Sequence, residues 1–97
     1  MQQLDIMQRT QLKNQYFVEI HTAPDGRKYA VVRKEGAKIV GKQKALLEEN
    51  GFTWDTPRMY SQIITSENRA VTAAFRAGLY LNAVCSEEAF EMYRAGF

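Results

Sequence analysis

Tyr16-Phe17-Val18-Glu19-Ile20-His21-Thr22-Ala23-Pro24-Asp25-Gly26-Arg27-Lys28-Tyr29-Ala30-Val31-Val32-Arg33-Lys34 is the stretch that decides the fold. Tyr16, Val18 and Ile20 alternate with Phe17, Glu19 and His21, the two-residue period of a strand with one buried face. In Ala23-Pro24-Asp25-Gly26, Pro24 presets φ, Asp25 tolerates the bridge region and Gly26 can take the positive φ that closes a turn. Alternation then resumes, with Tyr29 and Val31 on one face and Ala30 and Val32 on the other. Two such runs around Pro-Asp-Gly predict an antiparallel hairpin over 15–34. Taking the Tyr29 face as the buried one places Lys28 and Lys34 together in solvent.

Upstream, Leu4, Met7, Gln8, Gln11 and Leu12 share one side of a helical repeat. Only three of them are apolar, so residues 1–14 read either as a short helix or as a frayed or partner-ordered arm. Downstream, Lys34-Glu35-Gly36-Ala37 is a turn and Lys38-Ile39-Val40 is expected to add a short strand. Lys42 to Glu49 favours helix, and Asn50-Gly51 stops it, with Phe52 free to fold back on Leu46 or Leu47. Trp54 to Tyr60 reads as a loop turning at Pro57, followed by a strand near 58–65. Ser66 is the expected N-cap of the main helix, with Glu67 at its positive end. Its apolar stripe is Val71, Ala74, Phe75, Gly78 and Leu79, and the small residues Ala70, Ala74 and Gly78 permit close approach to a neighbour. Ser86 opens a last helix, with Glu87 and Glu88 in its first turn and Cys85 and Phe90 spaced as a hydrophobic staple.

The order is (α)ββ(β)αβαα without regular βαβ alternation. It predicts a single α+β domain over 1–97, with a small, mainly antiparallel sheet and helices on one face. The length of 97 residues, 45% hydrophobic and 25% charged, fits one globular core and excludes a fibrous or disordered chain. No apolar run approaches the roughly 20 residues that span a bilayer. The N-terminus lacks the basic start and apolar run of a signal peptide. A single cysteine, Cys85, cannot close an internal disulfide, so the expected setting is reducing and cytoplasmic.

Little in the sequence resembles a reaction centre. His21 is the only histidine; it reads as a surface residue at a hairpin corner, and the catalytic alternative is a dyad with Asp25. Cys85 precedes a helix start, which favours a thiolate, yet Glu87 and Glu88 oppose one, so a packed apolar thiol is the expectation. Gly36 to Gln43 only grazes a phosphate-loop pattern, lacking the glycine spacing and the Ser/Thr after lysine. One His and one Cys give no metal-ligand spacing. The chain is therefore expected to be no enzyme, with no cofactor and no metal.

Two features point to binding instead. Residues 1–50 carry nine cations against six carboxylates, while residues 51–97 carry four against five. Seven of those cations, Arg27, Lys28, Arg33, Lys34, Lys38, Lys42 and Lys44, lie between Gly26 and Lys44 beside a single acid, Glu35. They are either a backbone-led nucleic-acid contact or a solvated edge that blunts sheet aggregation. The second feature is eleven aromatics and four methionines, more than a core of this size can bury. Trp54, Arg58, Met59 and Tyr60 are residue types enriched at protein interfaces and form the candidate partner-binding set. Phe90, Met92, Tyr93 and Phe97 are a candidate surface for a second copy.

The expected function is a small inhibitor, adaptor or regulator that occupies a surface of a larger protein or nucleoprotein. Such single α+β domains are typical of phage and mobile-element accessory factors. The alternative is a nucleic-acid-binding regulator acting through the basic hairpin.

Overall fold

The computed structural model describes residues 14–97, so the expected N-terminal arm falls almost entirely outside them. The hairpin forms as its alternation dictates: β1 (Tyr16–Thr22) pairs antiparallel with β2 (Lys28–Lys34), Val18 facing Val32 and His21 facing Tyr29. The turn closes through Gly26 N–H donating to the Ala23 carbonyl at 2.9 Å, with Gly26 at φ +90°.

Further along lie α1 (Gly41–Glu49), β3 (Thr53–Thr56), β4 (Met59–Ile63), α2 (Ala70–Tyr80), β5 (Val84–Cys85) and α3 (Glu87–Arg94). The five strands run in the order β3-β4-β2-β1-β5, antiparallel except for the short parallel β1–β5 pair. The architecture is α+β, and among the described residues one core lies between the sheet and these three helices.

That core identifies the covered face. Tyr16, Val18, Ala30, Val32 and Tyr60 cluster with Leu47, Phe52, Val71, Ala74, Ala77 and Ala89. The helices thus lie on the Ala30 and Val32 side, not on the Tyr29 side. A β2 strand with Tyr29 inward would have put Lys28 and Lys34 free in solvent. Instead, both sit at the ends of the helix-covered face, with Lys28 paired to Glu88 and the Lys34 ammonium 5.3 Å from the Tyr16 ring.

Four local expectations are corrected. Lys38–Val40 is not a strand: Ile39 is buried and its N–H donates to the Pro57 carbonyl at 2.9 Å, one bond that no ladder extends. Trp54–Tyr60 is not a loop but a β3–β4 hairpin turning at Pro57 and Arg58. The main helix starts at Ala70 rather than at Ser66. Thr65 Oγ1 accepts from the Glu67 and Asn68 amides, and Asn68 Oδ1 from those of Thr65 and Ala70, so side chains hold the preceding backbone in a turn. Phe90 is exposed and packs beside Phe75, with ring centroids 6.2 Å apart, rather than stapling to Cys85.

The stop of α1 forms as expected. Gly51 at φ +88° donates to the Glu48 carbonyl and Phe52 to that of Leu47, the paired bonds of a Schellman cap. Ser86 caps α3, its Oγ accepting from the Ala89 amide at 3.2 Å.

Candidate functional site

The sequence-derived partner set is dispersed by the β3–β4 hairpin. Trp54 is opposite Tyr60 on the helix side of the sheet, yet the two differ completely in exposure. Tyr60 is fully buried and belongs to the core, whereas Trp54, on the edge strand, is 58% exposed. Met59 points to the other face. Arg58 sits in the turn with its Nε donating to the Gly36 carbonyl. Trp54 and Arg58 are exposed, Met59 is half-buried on the open face of the sheet, and Tyr60 is closed to a partner.

The seven cations do not form one patch. Arg27 is at the turn end of β2, paired with Asp25 at 2.6 Å, and Lys28 meets Glu88 at 3.2 Å. Arg33 lies at the other end, about 20 Å of strand away. Its guanidinium bridges Glu19 at 2.8 Å and Glu35 at 2.6 Å and stacks 4.2 Å above the Phe17 ring. Arg33 hydrogen bonding holds the Glu19 carboxyl below its ordinary range. Lys38, Lys42 and Lys44 are exposed, and no carboxylate among the described residues pairs with them or with Lys34. Lys34 and Lys38 belong to the same end of the sheet as Arg58, because Lys34 N–H bonds the Arg58 carbonyl and Ile39, next to Lys38, that of Pro57.

His21 is hydrogen-bonded through Nε2 to Glu19 Oε1 at 3.0 Å, not to Asp25. It lines a concavity on the uncovered sheet face. A base of this kind activates a hydroxyl or thiol only within hydrogen-bond reach. Ser61, on the concavity floor, is separated from His21 by β2, about 10 Å of sheet. Cys85 lies on β5, and burial pushes its thiol above its ordinary range. Among the described residues, no three His, Cys, Asp or Glu come together as a metal site.

The surface that sequence reasoning misplaced is on α2. Of the expected core stripe, Val71, Ala74 and Gly78 are buried and Phe75 packs partly against the core, but Leu79 turns outward at 86% exposure. Steric fit explains its exclusion. A Cβ on Gly78 would lie 2.8 Å from Val18 Cγ2, so only the small-residue side can approach the sheet this closely. Outward, Thr72, Phe75, Arg76 and Leu79 line a groove with Tyr93 of α3, about 390 Å³ in volume. Phe75 and Tyr93 stack at 4.4 Å between centroids and 17° between planes. Tyr80, 73% exposed, continues this surface toward Leu46 of α1. Of the C-terminal set, Phe90 and Tyr93 are exposed here, whereas Met92 and Phe97 pack against the core.

No helix among the described residues is long and apolar enough to cross a membrane. Comparison with protein-family models, with curated proteins and with solved structures finds no match.

Proposed function

We propose that this chain is a small non-enzymatic binding protein that inhibits, adapts or regulates a larger protein or nucleoprotein by covering part of its surface. The outer face of α2 and α3 is the contact. One observation carries this reading: on the outward side of α2, Leu79 is 86% exposed beside the stacked Phe75 and Tyr93. Aromatic residues beside an exposed aliphatic one match the composition of an interface centre. The lone cysteine fits a reducing cytoplasmic setting. The reading is tested by affinity capture from nuclease-treated lysate with the natural chain and with Leu79→Lys. The variant is expected to fold normally and lose the partner; recovery of the same partner by both would overturn it.

A second reading is supported by Lys34, Lys38 and Arg58, three cations at one end of the sheet with no carboxylate partner among the described residues. They could follow a phosphate backbone, and affinity would then fall with salt at a log–log slope of about −0.9 per phosphate contacted in a duplex. A low-salt titration against duplex and single-stranded DNA separates the readings, since no binding there excludes the second.

A further inference from the structure

The face of the sheet opposite the core holds a second concavity with a different chemistry. It measures about 330 Å³ and is lined by His21, Thr22, Ala23, Tyr29, Val31, Asp55, Met59 and Ser61. Its floor is dry: Val31 is 1% exposed and Ser61 8%, although neither belongs to the main core cluster. Tyr29 and Met59 supply an aromatic ring and a thioether. The size and the mix of apolar wall with few polar groups are those of a small-molecule site.

The polar groups at its two ends are Asp55 and His21. Asp55 falls where the β3–β4 register shifts between Trp54 and Thr56, a bulge of the kind that re-aims a side chain. It is exposed and has no ion-pair or hydrogen-bond partner among the described residues. It is the one carboxylate lining the concavity among the described residues. At the other end, His21 Nε2 faces a Glu19 oxygen. An ionised carboxylate can only accept, so Nε2 carries the proton of this bond.

We propose that this concavity is a binding site for a small, flat organic cation, an arylamidine, whose charged N–H donors meet Asp55 and whose ring lies over Val31 between Tyr29 and Met59. A planar amidinium matches a carboxylate with two parallel hydrogen bonds, which a spherical cation cannot do. The site is on the opposite face of the sheet from the helices, so it is independent of partner docking on α2.

Benzamidine is the probe, followed by NMR of the Met59 methyl and the Tyr29 ring. The expected result is a saturable shift of both, with a Kd of about 1 mM or tighter. Asp55→Asn should weaken binding at least tenfold. Asp25→Asn, which removes a carboxylate outside the concavity, should leave it unchanged. Benzoate, with the same ring and the opposite charge, should produce no saturable shift. Absence of a saturable shift with benzamidine, equal binding by Asp55→Asn, or equal binding of benzoate would each overturn the proposal.

Discussion

Gly78 sets how closely α2 lies on the sheet. Its missing side chain leaves room for Val18 Cγ2, which an added Cβ would meet at 2.8 Å, with Ala83 Cβ at 3.4 Å. Val18 is fully buried and cannot swing away. Gly78→Ala is therefore expected to destabilise the fold by about 1–3 kcal/mol through overpacking, measured by chemical denaturation. Tyr60 makes the opposite case. Its ring is fully buried, but its hydroxyl meets no hydrogen-bond partner among the described residues. Tyr60→Phe should leave stability unchanged or raise it by up to about 1 kcal/mol, because it deletes an unsatisfied buried group. Glu19 links stability to pH. Arg33 holds its carboxyl below the ordinary 4.5, so the ion pair's contribution is complete above that pH and disappears as the pH falls through the lowered value. In paired denaturation series, Glu19→Gln should be less stable than the natural chain near neutrality. The gap should close in acid, and a gap constant with pH would contradict the assignment.

At the scale of elements, legibility in the sequence followed the strength of the local signal. Pro24-Asp25-Gly26 between two alternating runs was sufficient for the β1–β2 hairpin, because turn and strands agreed. The α1 stop was equally readable, since Gly51 supplies the left-handed residue that the cap requires. β3 and β5 were not, being four and two residues long with little apolar content. Such short edge strands take their conformation from the ladder beside them. The start of α2 was misread because Thr65 and Asn68 compete for the backbone that Ser66 was expected to cap. In α2, Val71, Ala74 and Gly78 are buried as its stripe predicts, whereas Leu79 turns outward because the close approach to Val18 admits only the small-residue side. The candidate site was only partly visible for the same reason. Trp54 and Tyr60 differ by a strand's position at the sheet edge, and the Lys28–Glu88 pair joins residues sixty apart in sequence. Composition alone shows neither.

For the molecule as a whole, paired and unpaired cations are separated. The cations nearest the β1–β2 turn and on the open face are neutralised by Asp25, Glu88, Glu19 and Glu35, whereas Lys34 and Lys38, toward the far end, have no carboxylate partner among the described residues. The exposed apolar residues concentrate on the outside of the helical layer, where Leu79 and Tyr80 project beside Phe90 and Tyr93. In the binding account the apolar face holds the partner and the free lysines steer the encounter. Exposed substitutions away from special features change stability by no more than about 0.5 kcal/mol, so Leu79→Lys separates binding from folding. The direct measurement is the equilibrium Kd of the captured partner for the natural chain, for Leu79→Lys and for the triple variant Lys34→Ser, Lys38→Ser, Lys42→Ser at physiological salt. The account predicts at least a tenfold loss for Leu79→Lys, a hot-spot cost of about 1.4 kcal/mol or more, and a smaller loss for the triple variant. Undiminished affinity in Leu79→Lys, with the loss confined to the lysine variant, would contradict it.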